Sequence, residues 1–204
     1  NQSSGQGVRT DFGGKLWRYG RFRQGYDPIS GQTGSFCPAR QFMKAYLLRW
    51  MADFAVDGIR MDSVNNIANW DFVQEFKDLA RSSWQQQGGT SDKFIVVGEE
   101  LAVPLGLVRQ HRLDGLWNEE FKRMLRCVLL GQNGEKEPSF EWTVRKIIDC
   151  RLLGFSDGAE AVNYVGSHDV EGFRNERLFN FLQNNRIPLT EERIKLAFVC
   201  LLTA

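Results

Sequence analysis

The fold is indicated by a short apolar run, Phe94-Ile95-Val96-Val97-Gly98, which is followed directly by Glu99. A continuous run of β-branched residues of this length, bounded by turn-forming residues, predicts a buried strand of a parallel sheet. Residues 56–62, a short segment upstream that is flanked by turn-forming residues, are also predicted to form a buried strand, and this segment ends at Asp62. Both predicted strands therefore end in a carboxylate.

Helical patterns separate these strands from two further ones. Helices are predicted from Pro38 onward, from the capping residue Asn69 onward, and over 118–130, 140–153, 176–183 and 191–204. Further strands are predicted at 113–117 and 161–165, and residues 1–36 are predicted as loop. Strands that alternate with helices predict an α/β fold with a parallel sheet. Four strands are too few for a closed eight-stranded barrel, but they suffice for half of one.

The composition excludes several classes of protein. The chain has 204 residues, 26 Lys and Arg against 25 Asp and Glu, and 42% hydrophobic residues, which is typical of a globular domain with a core. The balanced charge argues against a nucleic-acid partner, and no apolar run reaches the ~18 residues of a membrane span. The four cysteines are widely spaced and only two histidines occur, so a zinc site is not expected and buried thiols are. The compartment stays open, with the cytoplasm favoured.

Both ends of the chain are expected to be truncated. The chain begins in polar, Gly-rich sequence, and its last residues, 194–204, lie inside an apolar helical pattern without a cap. We therefore expect residues 1–204 to be one partial barrel domain whose remaining part lies outside this sequence.

Three acidic residues follow predicted strands. Asp62 and Glu99 follow two of them, and Asp169 lies beside His168 just past the last one. Functional sites of parallel α/β proteins form at the carboxyl ends of the strands, so these acids are expected on one rim. Such a set serves either acid–base chemistry or, as the alternative, Mg²⁺ binding in a metal-dependent barrel enzyme.

The position of Arg60 distinguishes the acids from one another. Arg60 precedes Asp62 by two residues, so on a strand both side chains share a face and can pair, which keeps Asp62 ionised. Glu99, near that anion and in a partly dry pocket, is expected to have a raised pKa and to stay protonated. One ionised and one protonated carboxyl group are the pair that cleaves glycosidic bonds, and Asp169 could hold sugar hydroxyls.

These segments resemble the motifs of the α-amylase family, glycoside hydrolase family 13. Asp57-Gly58-Ile59-Arg60-Met61-Asp62 resembles its Gly-x-Arg-x-Asp motif, Val96-Val97-Gly98-Glu99 its general-acid segment, and Tyr164-Val165-Gly166-Ser167-His168-Asp169 its late His-Asp motif. The segment Leu113-Asp114-Gly115-Leu116-Trp117-Asn118 is similar to the sixth-strand region of branching and debranching members. The resemblance covers residues 15–204, in the family's order.

The resemblance implies a function and roles for single residues. It makes Asp62 the nucleophile, Glu99 the general acid/base and Asp169 the transition-state stabiliser of a retaining α-glucoside hydrolase or transglycosylase. Arg60 would orient the nucleophile, and His168 would bind the sugar. The implied fold is a (β/α)₈ barrel, of which this chain covers about the fourth to seventh strands. The implied partner is an α-glucan or oligosaccharide.

Other features leave the activity within the family open. The family's Asp-x-x-x-Asn-His motif is absent, and Asn65-Asn66 replace the Lys-His of many α-amylases, so branching, debranching, oligoglucosidase and trehalose-forming activities remain open. No cofactor is required, and calcium is not indicated. Trp117 and Asn118 follow a predicted strand and are candidate sugar contacts, although Trp117 could equally be a core residue. A homologue that binds glucan without cleaving it is a further alternative.

Overall fold

The computed structural model describes residues 19–67, 69–169 and 176–204. These residues divide into two compact units. The amino-terminal unit extends to Glu100 and also includes Gly106–Asp114, and the carboxy-terminal unit comprises Leu101–Leu105 and Gly115–Ala204. None of the helices in the described ranges has the length and apolar content needed to cross a membrane.

The amino-terminal unit combines a hairpin with alternating strands and helices. Its elements are β1 (Arg23–Asp27), β2 (Gln32–Phe36), α1 (Pro38–Phe54), β3 (Gly58–Met61), α2 (Val64–Ile67), α3 (Trp70–Gln86), β4 (Ile95–Gly98) and α4 (Gly106–Arg109). Strands β1 and β2 are antiparallel. The predicted loop over residues 1–36 is therefore wrong where β1 and β2 lie, and its first 18 residues fall outside the described part.

Strands β3 and β4 pair in parallel, as the alternation of strands and helices predicts. Gly58 lies opposite Ile95, and Met61 lies opposite Gly98. Each residue of β3 therefore faces the residue 37 positions later in the chain. Because side chains alternate along a strand, residues two positions beyond a paired couple return to the same face.

Helix α1 begins at Pro38, as predicted, but its apolar residues do not form one buried face. Leu47 and Met51 are buried, whereas four aromatic side chains are exposed: Phe42, Tyr46, Trp50 and Phe54. These four, which we call the α1 aromatic stripe, are spaced four residues apart and pair ring to ring, at 4.7 Å for the first two and 4.6 Å for the last two. Their i, i+4 spacing makes these aromatic residues neighbours along one side of the helix.

The buried Arg40 of α1 forms ion pairs with two acidic residues of α3. The Arg40 guanidinium pairs with Asp71 at 2.6 Å and with Glu75 at 3.0 Å, and it lies 5.3 Å from the ring centre of Phe72. Burial alone would raise the pKa of the Glu75 carboxyl, but hydrogen bonds from Lys44 and Arg40 outweigh burial and leave that pKa lowered. Helices α1 and α3 are therefore joined by charge as well as by apolar packing.

The carboxy-terminal unit is mainly helical around a short parallel pair of strands. Its elements are β5 (Gly115–Trp117), α5 (Glu119–Leu129), α6 (Phe140–Ile148), β6 (Ala161–Val162), α7 (Leu178–Asn184) and α8 (Thr190–Thr203). Strand β5 pairs in parallel with β6 through Leu116 opposite Ala161. The core packs helices α5 to α8 around Phe121, Leu125 and Leu182.

Two predicted boundaries in this unit are wrong. Helix α6 ends at Ile148, and a 3₁₀ turn, Cys150–Leu153, occupies the rest of the predicted helix. The Asp149 side chain caps that turn by accepting from the Arg151 amide, which favours the break over a continuous helix. Strand β6 has only two residues where 161–165 was predicted. Of the cysteines, only Cys37 is buried, and none forms a disulfide in the described part of the chain.

The contacts of the Asp114 carboxylate are expected to stabilise the amino-terminal unit, and a substitution of Asp114 tests this. Its carboxylate accepts from Arg81 and from the Val96 amide of β4, both at 2.8 Å, and lies 3.8 Å from the buried Lys77 ammonium. Asp114→Asn removes the charge that both cations face. We expect the free energy of unfolding, measured by urea denaturation, to fall by about 2 kcal/mol.

The matched control is Asp53→Asn. Asp53 forms an exposed i, i+4 pair with Arg49, and such pairs contribute little. The control should change the free energy of unfolding by less than about 0.5 kcal/mol. Equal losses in the two variants would contradict a special role for Asp114.

Candidate active site

The carboxyl ends of β3 and β4 place two acids side by side. Asp62 follows Met61, the last residue of β3, and Glu99 follows Gly98, the last residue of β4. The Glu99 amide donates to the Met61 carbonyl at 2.8 Å, and the Val64 amide donates to the Glu99 carbonyl at 3.1 Å. The backbone of Glu99 is thus held on both sides by the segment that carries Asp62.

Arg60 contacts both acids through one nitrogen. Its Nη2 lies 3.3 Å from Oδ1 of Asp62 and forms an ion pair with Oε2 of Glu99. The predicted contact between Arg60 and Asp62 is confirmed. The pair with Glu99 was not predicted, although the register could have shown it, because Arg60 faces Val97 and Glu99 lies two residues further on.

The two acids differ strongly in exposure. The Asp62 side chain is 74% exposed, whereas the Glu99 side chain is only 8% exposed. The expected position of Glu99 in a partly dry environment is therefore confirmed. A carboxyl group shielded from water interacts more strongly with a neighbouring charge than an exposed one does.

Glu100 points to a different partner. Its Oε2 accepts from the Asn65 amide at 3.3 Å, at the start of helix α2. This contact gives Glu100 a structural role. The arrangement favours Glu99 over Glu100 as the acid that faces Arg60.

The chain turns sharply after Asp62. Ser63 has a φ of 42°, in the left-handed region that side chains with a Cβ rarely adopt. The turn leads directly into α2, whose first residue, Val64, is fully buried. The strained backbone of Ser63 therefore directs the chain from the end of β3 into α2.

The carboxy-terminal unit brings together the other candidate residues in an aromatic cluster. The Trp117 and Tyr164 ring centres lie 4.9 Å apart, and the His168 ring stands edge-on to Trp117 at 6.4 Å. Trp117 is half-buried, so it belongs neither wholly to the core nor wholly to the surface. We call Trp117, Tyr164 and His168 the aromatic wall.

Asn118 has a structural role in this unit. Its side chain is 1% exposed, its Oδ1 accepts from the Phe121 amide at 3.1 Å, and its Nδ2 donates to Asn163 at 2.9 Å. Asn118 therefore caps helix α5. The sugar contact predicted for it stays a prediction, and both ends of its amide are occupied by protein groups.

His168 and Asp169 lie at the surface of the unit. His168 Nε2 is 3.3 Å from Oδ1 of Asp169, and the Asp169 amide donates to the Ser167 hydroxyl at 3.2 Å. Both side chains are exposed, so they are open to a ligand. The roles that the resemblance implies for them stay predictions.

A polar group behind the aromatic wall was missed in the sequence. The Tyr164 hydroxyl donates to the Glu119 carboxylate, and the buried Lys122 ammonium lies 2.8 Å from Glu119 and 5.1 Å from the centre of the Tyr164 ring. Burial, followed by the hydrogen bond to Glu119, raises the pKa of Tyr164 far above its ordinary value. The i, i+3 spacing of Glu119 and Lys122 was the signal available for their pairing.

Metal binding by a cluster of acids finds no support in the described ranges. Among residues 19–67, 69–169 and 176–204, no three His, Cys, Asp or Glu side chains are grouped so that they could hold a metal ion.

The fold is similar to that of several solved structures. Cyclomaltodextrinase matches with a TM-score of 0.58 and 18% identity over 84% of this chain and 27% of its own. Cyclic α-maltosyl-(1→6)-maltose hydrolase from Arthrobacter globiformis, in complex with maltose, matches with a TM-score of 0.56 and 17% identity over 93% of this chain and 42% of its own. A debranching enzyme from Nostoc punctiforme matches with a TM-score of 0.51 and 19% identity over 69% and 31%.

These matches confirm the predicted fold class. The chain is an α/β protein whose parallel strands and helices match a part of a (β/α)₈ barrel. It spans between 27% and 42% of the length of the structures named above. The sequence matches no protein-family profile and no curated protein.

Substitution of Ser63 tests the strained turn beside Asp62. Glycine adopts a positive φ without steric cost, so Ser63→Gly should change the free energy of unfolding by less than about 1 kcal/mol. Ser63→Val places a β-branched side chain in the same conformation and should lower it by about 2 kcal/mol. Chemical denaturation of both variants measures the difference.

Ser35→Val is the control for this comparison. Ser35 lies in β2, is exposed and has extended backbone, which valine favours. The control should leave the free energy of unfolding unchanged or slightly higher. A neutral Ser63→Val variant would show that Ser63 does not adopt a left-handed conformation in solution.

Tyr164 gives a prediction for alkaline pH. Since the folded chain favours the neutral phenol, its stabilising effect is complete below the ordinary pKa of 10.0 and is lost as the pH rises above it. Tyrosinate absorbance of the folded protein should therefore show no Tyr164 step near pH 10, and the titration curves of the wild type and Tyr164→Phe should overlap there. The wild type should also lose stability more steeply than Tyr164→Phe above pH 10. A Tyr164 step near pH 10 would contradict the buried contact with Glu119.

Proposed function

We propose that this chain is part of the catalytic barrel of an α-amylase-family enzyme, which cleaves α-glucosidic bonds by a retaining mechanism. The observation that carries the proposal is the shared contact of Arg60 with Asp62 and Glu99 at the ends of adjacent parallel strands. The motifs around these residues are in the order that the family resemblance requires. The names of the structures similar in fold, which include a cyclomaltodextrinase and a debranching enzyme, support an α-glucan or malto-oligosaccharide as substrate.

Asp62 is the nucleophile in this proposal. Its carboxylate is exposed, so it is accessible to the anomeric carbon of a substrate. Arg60 orients this carboxylate. Attack by Oδ forms a covalent glucosyl–enzyme ester while the bond to the leaving oxygen breaks. Both acids contact one guanidinium nitrogen, which supports the short separation of about 5–5.5 Å that retaining enzymes use.

Glu99 is the general acid and base. A carboxyl group that donates a proton to the leaving oxygen must first be neutral. Protonation of Glu99 would leave the guanidinium to Asp62, which is the group that needs its negative charge for attack. After departure of the first product, Glu99 accepts a proton from the incoming water or sugar hydroxyl.

Asp169 and His168 act on the sugar itself. The Asp169 carboxylate stabilises the positive charge that develops in the transition state, and His168 donates to a sugar hydroxyl. The whole reaction uses carboxyl groups and proton transfers, so it needs no cofactor. Whether water or a second sugar accepts the glucosyl unit depends on the access of water to the ester.

A fluorinated α-glucosyl fluoride, which forms the ester but slows its breakdown, tests the nucleophile. Incubated with the protein that contains this chain, it should add one glucosyl mass, and peptide mapping should place the label on Asp62. Asp62→Asn should abolish the label and lower turnover of malto-oligosaccharide on the order of 10⁴-fold. Asp57→Asn, which changes a neighbouring exposed acid, is the control and should keep the label.

Glu99→Gln separates the acid from the nucleophile. The leaving fluoride needs no proton, so this variant should still be labelled by the reagent. Its turnover of malto-oligosaccharide should fall on the order of 10²–10⁴-fold, because the sugar leaving group does need a proton. If Glu99→Gln lost labelling by the reagent as well as turnover of malto-oligosaccharide, the assignment of Glu99 as the acid would be contradicted.

The other interpretations predict different results. A protein that binds glucan without cleaving it would bind malto-oligosaccharide but take no label. A metal-dependent enzyme would lose turnover on removal of Mg²⁺ with a chelator, and its activity would return on addition of Mg²⁺. Either outcome would replace the retaining mechanism.

A further inference from the structure

Two charged residues of α5, Glu119 and Lys122, lie behind the aromatic wall, and we call this pair the brace. Tyr164 lies between Trp117, whose ring centre is 4.9 Å away, and the Glu119 carboxylate, to which its hydroxyl donates. The two ring planes are tilted by 49°. A ring contact of this kind leaves a tyrosine free to tilt and slide, whereas a hydrogen bond at the far end of the ring fixes its direction. The Trp117 indole therefore packs against a ring whose orientation is set from outside the pair.

The brace is anchored in the interior of the unit. Lys122 is buried, and its ammonium group lies 2.8 Å from the other oxygen of Glu119, Oε1, and 5.1 Å from the Tyr164 ring centre. Glu119 is the first residue of α5 and Lys122 follows one turn later, so one helix carries both charges. A largely buried charge pair interacts more strongly than a surface pair, and it holds the carboxylate in place for Tyr164.

The contact also keeps the phenol in its donating form. Burial and the neighbouring carboxylate both disfavour ionisation of Tyr164, so the hydroxyl retains its proton over the whole physiological range. The hydrogen bond to Glu119 is consequently independent of pH in that range.

We infer that Glu119 is a positioning residue, which acts through Tyr164 to hold Trp117 as a flat platform for a glucose ring of the substrate. The inference rests on the proposed function for the identity of the ligand. The apolar C–H faces of a glucose ring pack on an aromatic ring, and the His168 edge beside Trp117 offers a polar atom for its hydroxyls. A platform held in advance loses less conformational entropy on binding than a mobile one.

Two variants test the brace, and one tests its specificity. Tyr164→Phe removes only the hydroxyl, and Glu119→Gln keeps an acceptor but removes the charge that faces Lys122. Glu120→Gln is the control, because Glu120 is the next residue of α5 and pairs with the surface residue Arg123. All are made in the protein that contains this chain, and thermal unfolding shows that each variant is folded at the assay temperature.

Kinetics with maltohexaose give the first measurement. We expect KM to rise about five- to tenfold in Tyr164→Phe and in Glu119→Gln, with kcat within about twofold of the wild type, because the platform binds substrate and transition state alike. Glu120→Gln should leave both constants unchanged. Unchanged KM in Tyr164→Phe, with the variant folded, would overturn the inference.

Binding and near-ultraviolet circular dichroism separate this inference from the proposed function. The coupled Trp117–Tyr164 signal should weaken in both brace variants and persist in Glu120→Gln. If the wild type binds maltohexaose without turning it over, and the brace variants bind it five- to tenfold more weakly, the proposed reaction fails but the positioning role stands. If turnover is present while binding and spectrum are those of the wild type, the positioning role fails alone. A wild type that neither binds nor cleaves maltohexaose would overturn both.

Discussion

The contact of one guanidinium with two carboxylates is the interaction on which the amino-terminal unit's chemistry depends. Arg60 supplies one positive charge at a place where Asp62 and Glu99 together bring two negative ones. Without it, two like charges at the ends of adjacent strands would repel each other, and the buried acid would lack a charged partner. The difference in exposure between the acids then allows them to have different tasks, since Asp62 is accessible to a ligand and Glu99 is shielded from water.

The carboxy-terminal unit places aromatic rings at its surface, and these rings have to be held in position. Its apolar core lies among helices α5 to α8. Glu119 and Lys122 from the first turn of α5 hold the Tyr164 ring, which contacts Trp117. Asn118 caps the same helix. Three adjacent residues therefore have different roles: Trp117 contacts the Tyr164 ring, Asn118 caps α5 and Glu119 accepts from the Tyr164 hydroxyl.

The sequence predicted the parallel strands and the acids at their ends because both leave local patterns: β-branched runs, turn residues and a carboxylate that follows. It did not predict the β1–β2 hairpin, whose strands are polar and exposed and so lack an apolar alternation. It also did not show that the α1 aromatic stripe lies at the surface, since periodicity identifies a face but not what covers it. The Tyr164–Glu119 bond joins residues 45 positions apart, which no local pattern encodes.

The constant offset of 37 residues between β3 and β4 has a consequence for how this part of the chain can vary. Hydrogen bonds of the strand ladder, together with the Glu99 amide on Met61, keep Asp62 level with Glu99, and the connecting segment only has to span the distance. Insertions or deletions between the end of α3 and the start of β4 can therefore be absorbed without moving either acid. A single residue added within β4 itself would turn Glu99 to the opposite face of the strand and away from Arg60.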